Sequence, residues 1–173
     1  LKSGGHWSEV PSSIQKSLMD GAAGEKPETL KPDEFDPQQY QNIIIGSLQQ
    51  SMAAAVKAAS SYGWNATEMQ PPLSGSLESI ADRIMADIKQ AKIANKEELL
   101  VYGGEGTVKI SGNGKGGRNS HLTWLLAQKI RSIPGVTILT FASDGDDGNS
   151  KAAGAIADSS TCIRAEHLHL DLK

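Results

Sequence analysis

Glycine is concentrated in one place. Seven of the chain's 18 glycines fall between Gly103 and Gly117, inside the stretch LVYGGEGTVKISGNGKGGRN that runs from Leu100 to Asn119. Short apolar runs at 99–102 and 107–110 flank Gly103, Gly104, Glu105 and Gly106, and an apolar periodic segment follows at 122–130. The order predicted from this pattern is strand, tight turn, strand, glycine loop, helix. Glycine loses more freedom on folding than other residues, at a cost of about 1 kcal/mol each in an element interior, so such a cluster has a physical purpose. Two purposes stay open on sequence alone. One is a loop whose amides face an anion near a helix N-terminus. The other is a pair of sharp turns at the end of a small sheet.

The remaining composition narrows the class. The chain has 173 residues, enough for one good core or two unequal pieces. Aromatic residues are 5% of it, so the core must be mostly aliphatic, and a net charge of -3 argues against a general nucleic-acid surface. No apolar run approaches the length of a membrane span, and the first twenty residues lack a secretory pattern. Cys162 stands alone, which excludes an intrachain disulfide and suits a reducing, cytoplasmic compartment. The first residue is leucine, consistent with a piece of something longer.

Residues 1–20 hold a short helix, with Pro11 at its first turn and Ile14, Leu18 and Met19 on one side. Residues 21–41, rich in proline and acidic side chains, read as a loop or arm. The β-branched run at 42–45 predicts a buried strand, followed by Gly46 and Ser47 where a strand feeds a helix. Met52, Ala55, Val56 and Ala59 line that helix, which ends near Gly63. A second strand is expected at 64–69, stopped by Pro71 and Pro72. Ser76 is a candidate cap for a helix whose Leu77, Ile80, Ala81, Ile84, Met85 and Ile88 recur at helical spacing. Strand and helix alternate, which predicts an α/β fold with a parallel layered sheet segment and helical crossovers. A smaller α/β unit would follow residue 95. In it, residues 121–131 predict a helix, 136–141 a strand, 151–158 a small alanine-rich helix, and 165–173 an alternating strand. His167 and His169 would share one face of that last strand, as a surface pair or, with further ligands, a metal chelate.

Two constellations carry chemistry. Gly112, Gly114, Gly116 and Gly117 lead to Arg118, without the Gly-Lys-Ser/Thr of a phosphate loop or a dinucleotide fingerprint. Lys115 and Arg118 suit phosphate or carboxylate; the alternative is an arginine that ties the loop to a neighbouring acid. Asp144, Asp146 and Asp147, interleaved with Gly145 and Gly148 at a strand end, suit magnesium or a substrate hydroxyl, or else cap the segment that begins at Lys151. No serine, histidine and acid set assembles into a hydrolase triad.

Together VYGGEGTV (101–108), GNGKGGRN (112–119) and SDGDDGNSKAAGAIAD (143–158) resemble the C-terminal MOFRL domain of the class II glycerate 2-kinases, some of which carry the label hydroxypyruvate reductase. Residues 14–27 and 42–47 resemble the later part of that family's larger nucleotide-like α/β domain, so the resemblance assigns 1–95 to that domain and 96–173 to an incomplete MOFRL-like domain. It implies transfer of the ATP γ-phosphate to D-glycerate, with Mg2+, in a cleft between two domains. Gly46 and Ser47 match the family's glycine-serine loop. Gly103, Gly104 and Glu105 match its Gly-Gly-Glu turn, with Glu105 anchoring loops. Gly116, Gly117, Arg118 and Asn119 match its Gly-Gly-Arg-Asn segment, with Arg118 on the glycerate carboxylate or the transferring phosphoryl group. Asp144 and Asp147 match its acidic strand end, serving magnesium or a hydroxyl. The chain departs from the family at Leu48, Gly106, Ser120 and His121. The family's phosphate-contacting glycine loop and assisting lysine lie outside these residues, so the chain alone is expected to be inactive, its parent active, and exposed sheet edges to favour self-association. The alternative is a diverged, non-catalytic module that binds an anion or a partner.

Overall fold

A computed structural model describes residues 7–27, 29–31, 33–110 and 112–170. The chain has two compact units, Leu1–Ile45 and Gly46–Lys173.

In the first unit, α1 (Ser12–Ala22) follows a single 3-10 turn at Trp7–Glu9. The Gln15 amide donates to the carbonyls of Trp7 and Val10 and closes that turn onto the helix. α1 buries no residue, and Ile14, Leu18 and Met19 are all exposed. Farther on, the Phe35 and Tyr40 rings stack with centroids 4.6 Å apart around a 3-10 turn capped by Asp36. The strand expected at 42–45 does not form. Ile43, Ile44 and Ile45 belong to no helix or strand, and Ile45 is 96% exposed. A β-branched run becomes a strand only when a neighbour accepts its backbone hydrogen bonds, and none of the described strands does so.

The second unit is a mixed α/β assembly of parallel and antiparallel pairs. α2 (Leu48–Ser61) precedes β1 (Ala66–Glu68) and β2 (Leu73–Ser76), and α3 (Leu77–Ile93) leads to β3 (Leu99–Val101) and β4 (Gly104–Thr107). β1 pairs with β3 and β2 with β4, both in parallel, so α3 is the crossover for each pair. Beyond the glycine loop come α4 (Arg118–Ile130), β5 (Thr137–Phe141), β6 (Gly154–Asp158) and α5 (Thr161–His167), with β5 and β6 antiparallel.

The core follows from the helical periodicity. Leu77, Ile80, Ala81, Ile84, Met85 and Ile88 of α3 meet Leu122, Leu126 and Ile130 of α4. Leu126 and Ile130 are fully buried. At about 25 cal/mol per Å2 of apolar surface, each is worth about 1.5–3 kcal/mol against exposure. Lys129 donates to Asp82 across the same two helices at 2.8 Å, and the Tyr102 hydroxyl donates to Asp87 at 2.9 Å. Half-burial and that carboxylate push the Tyr102 hydroxyl's pKa well up. α3 and α4 thus share one core across the division expected after residue 95. Ala127, Ala157 and Cys162 form a second cluster, with Trp124 beside it, that seats α5.

Three further expectations are corrected. Of the residues expected as a turn before a strand at 107–110, Gly104, Glu105 and Gly106 are themselves strand, forming β4 with Thr107, while Gly103 and 108–110 lie outside it. The segment 151–158 is not a helix. Its residues 154–158 are β6, laid against β5 so closely that a Cβ on Gly154 would collide with the Thr140 carbonyl, while Phe141 Cα would stand 2.7 Å away. A glycine is required at 154 by the close strand approach, while the small residues around it read equally well as helix propensity. Finally, 161–167 is helical, so the alternation at 165–170 does not make a strand. Leu168 and Leu170 are exposed, His169 adopts φ +54, and the expected shared face of His167 and His169 is absent. Residues 171–173 of that expected strand lie outside the described residues.

Candidate functional site

The glycine loop is built on the N-terminus of α4. The first amides of a helix lack intrahelical acceptors and must find others. Here one side chain takes most of them. Asp147 Oδ1 accepts from the Asn119 N–H at 2.8 Å, and Oδ2 accepts from the Ser120 N–H at 2.8 Å, the Gly117 N–H at 3.1 Å and the Ser120 hydroxyl at 2.6 Å. The carboxylate is only 2% exposed. Burial works against its charge, but the hydroxyl and backbone donors of Ser120 and Asn119 outweigh that, and its pKa lies below the usual carboxylate range. The acidic turn does cap a helix, as one sequence reading allowed, but the helix is α4 rather than a segment starting at Lys151.

The close fit explains two glycines. A Cβ on Gly117 would stand 2.5 Å from Asp147 Oδ1 and from the Gly148 N. Gly148 has φ +63, and a Cβ on it would drive into the Gly116 carbonyl. Beside it, Asn149 grips the loop with both ends of its amide. Its Oδ1 accepts from the Gly116 N–H at 2.9 Å and its Nδ2 donates to the Gly114 carbonyl at 3.2 Å. Thr140 ties the base of the site to β5, donating to the Asn119 carbonyl at 2.8 Å and meeting the Thr123 hydroxyl at 2.6 Å.

Arg118, the first residue of α4, pairs with Glu105 of β4. That ion pair brings Gly103–Gly104–Glu105 and Gly116–Gly117–Arg118–Asn119 together. It is exposed on both sides, at 51% and 75% of the two side chains. Gly103 fits beneath α2, where a Cβ would stand 2.5 Å from Leu48 Cδ1 and from Met52 Sδ. Ser47 caps that helix by accepting from the Gln50 N–H at 3.2 Å, so Gly46 and Ser47 sit at the helix start that covers Gly103. Lys115 is exposed at the loop tip. Asp144 is exposed and accepts within its own turn from the Asp146 N–H at 3.2 Å, apart from the Arg118–Glu105 pair. Among the described residues, no group of three or more His, Cys, Asp or Glu side chains is placed to hold a metal, His167 and His169 included.

Sequence reasoning missed Asn149, Ser120, Thr123 and Thr140. Asn149 follows directly on the Asp147–Gly148 turn, and its position beside a glycine loop was the available signal. The threonines are isolated polar residues in apolar elements, a pattern that asks for a buried partner.

The loop therefore carries two exposed cations, Lys115 at its tip and Arg118 in its ion pair with Glu105. Comparison with known proteins gives the family. Residues 98–173 match the MOFRL family. The glycerate 2-kinase of Pyrococcus horikoshii is 31% identical over 172 residues, covering 96% of this chain and 38% of that protein. A crystal structure of glycerate kinase from Thermotoga maritima superposes with a TM-score of 0.68 at 31% identity, over 74% of this chain and 32% of that one. A Pyrococcus horikoshii structure gives 0.68 at 30% identity, over 96% and 38%. The chain thus spans well under half the length of the proteins it matches.

Proposed function

We propose, from the premise that this chain belongs to the MOFRL/glycerate 2-kinase family, that it forms one side of the cleft in an ATP-dependent D-glycerate kinase. Residues 1–95 would be the last part of the larger nucleotide-like domain and 96–173 the MOFRL-like part. The observation that carries the reading is the Arg118–Glu105 pair, which joins the two glycine motifs at the mouth of the Asp147-capped loop. Phosphoryl transfer depends on positioning and on charge stabilisation, and both are properties of such a loop.

In this reading Arg118 exchanges Glu105 for the glycerate carboxylate or the transferring phosphoryl group, and Lys115 adds a second positive charge. Gly46, Ser47, Gly103, Gly104, Gly114, Gly116, Gly117 and Asn119 shape the surface. Magnesium bound with ATP would neutralise phosphate charge. Magnesium commonly takes one or two carboxylates and completes its shell with phosphate and water. The donor set fits that pattern through Asp144, whose second oxygen is uncommitted in the described hydrogen bonds. Asp147 fits less well, because both of its oxygens are engaged by α4. Its part is to hold the loop.

One observation favours the second reading, a non-catalytic anion- or partner-binding module. At two of the positions where the chain departs from the family, Ser120 spends its hydroxyl on Asp147 and Leu48 packs at Gly103. The test is an assay of ATP-dependent D-glycerate phosphorylation by the natural gene product and its Arg118→Ala variant. The kinase reading expects activity in the first, and in the second a glycerate KM raised about tenfold or more, the equivalent of losing one charge-assisted hydrogen bond. Unaltered kinetics in the variant would remove Arg118 from the site. No turnover in the natural product would favour the second reading.

A further inference from the structure

The chain has six asparagines, Asn42, Asn65, Asn95, Asn113, Asn119 and Asn149, and only Asn113 is followed by glycine. Asn113 and Gly114 are both exposed, in a segment with no helix or strand. Neither the Asn113 side chain nor the Gly114 N–H has a hydrogen-bond partner among the described residues. The amides that follow two other asparagines are committed. The Ser120 N–H donates to Asp147, and the Ser150 N–H donates to the Asp147 carbonyl at 3.3 Å. Those commitments matter because the backbone nitrogen after an asparagine is the nucleophile that attacks its side-chain amide. Glycine, lacking a Cβ, opposes the ring closure least.

We propose that Asn113–Gly114 is a self-modification site, at which the glycine loop converts its own amide to a carboxylate. The Gly114 nitrogen, having lost its proton to solvent base, forms a bond to Asn113 Cγ. The Cγ–Nδ2 bond breaks and ammonia leaves, giving a five-membered succinimide. Water then opens the ring. Cleavage at Cγ leaves aspartate, and cleavage at the main-chain carbonyl leaves isoaspartate, with the chain running through the former side chain. The net change is water in and ammonia out, with no change of oxidation state.

Either product sets a new negative charge two residues from Lys115, in the loop that leads to Arg118. Isoaspartate also lengthens the backbone by one methylene immediately before Gly114, whose carbonyl is held by Asn149. Modification would therefore weaken both the positive charge and the shape of the loop. The covalent step does not depend on the kinase reading; only this consequence rests on it.

The experiment incubates the chain in mildly alkaline buffer and maps peptides by mass spectrometry over time, with isoaspartyl methyltransferase labelling to identify the branched product. The expected result is loss of the Asn113 amide ahead of all five other asparagines, with isoaspartate at that position. Gly114→Ala is the control. A Cβ there meets nothing within 4 Å, so the variant keeps the loop while hindering ring closure, and conversion should slow sharply. Conversion of Asn113 no earlier than the others, or at an equal rate in G114A, would overturn the proposal. So would an intact Asn113 in the native chain when the same chain in denaturant converts readily. Loss of kinase activity on ageing of the natural gene product, but not of its N113Q variant, would link the modification to the site; activity that stays constant while Asn113 converts would refute that consequence.

Discussion

Replacing Asp147 should destabilise the chain more than an exposed cap would. Its carboxylate accepts from three backbone amides of the α4 N-terminus and from the Ser120 hydroxyl, at 2% exposure. Losing an ordinary N-cap costs about 0.5–2 kcal/mol. Stranding a buried donor costs about 1–3 kcal/mol more. The Gly117, Asn119 and Ser120 amides would not all reach water, so Asp147→Ala should cost about 3 kcal/mol. Asp147→Asn keeps one acceptor but turns an NH2 toward the remaining N–H groups, and should cost about half as much. Urea unfolding should show a lower midpoint with an unchanged slope. The pH dependence has a defined sign. The folded carboxyl titrates below its unfolded value of about 3.9, so its contribution is complete above that pH and disappears as pH falls through the lower folded value. D147N should lose this acid-range slope while wild type keeps it. A change below about 0.5 kcal/mol in D147A, the ordinary range for surface substitutions, would refute the view that this carboxylate holds the loop.

Three other substitutions test separate parts of the fold. Gly104→Ala should cost about 2–4 kcal/mol, because Gly104 has φ +151 and a Cβ would strike the backbone of Leu73 in β2; circular dichroism and urea melts would reveal it, and a neutral result would contradict the β2–β4 register. Asn149→Ala should leave global stability within about 1 kcal/mol while hydrogen exchange speeds up at residues 112–117, since the amide clamps only that loop; unchanged exchange would dismiss the clamp. Leu126→Ala, at a fully buried α4 position, should lower stability by about 2–5 kcal/mol, and a cost under 1 kcal/mol would mean that the α3–α4 core is misplaced.

The parts of this fold legible in sequence are those where one local signal dominates. α3 shows its apolar stripe, and Ser76 accepts from the Ser79 N–H at 3.2 Å as a cap should. Ser47 does the same for α2. β5 shows as a β-branched run, with Ile138 turned inward and Leu139 outward. What was not legible depends on a distant neighbour. β4 is made of glycines because Leu73, Leu77 and Ile80 occupy the space where its side chains would stand. Gly154 of β6 is a glycine because β5 lies close against it. The isoleucines at 43–45 carry a strong strand signal with no described strand to pair them. At the site, residue types were legible and roles were not. Asp147 reads equally as a ligand donor or as a cap, and only the position of α4 decides between them.

Under the proposed kinase reading, that decision changes how the loop would select an anion. The positive end of a helix is the usual attraction for a phosphate or carboxylate, worth about 0.3–1 kcal/mol at an exposed site. In this chain Asp147 already occupies it, so the attraction must come from side chains. Arg118, the first residue of α4, is the candidate, and its partner Glu105 is no obstacle. An exposed ion pair of this kind contributes about 0–1 kcal/mol, whereas a paired hydrogen bond from a guanidinium to a substrate carboxylate is worth more once water is excluded. In that reading Glu105 would hold Arg118 in place before substrate arrives and yield when it does. The order of strengths predicts a test by charge. Glu105→Gln should lower glycerate KM, by freeing Arg118, if the pair is a holding contact. If Glu105 instead keeps Arg118 in its productive position, KM should rise. A fall would support side-chain selection of the anion, and a rise of tenfold or more, equal to about 1.4 kcal/mol, would show that the pair is part of the binding geometry rather than a displaceable latch.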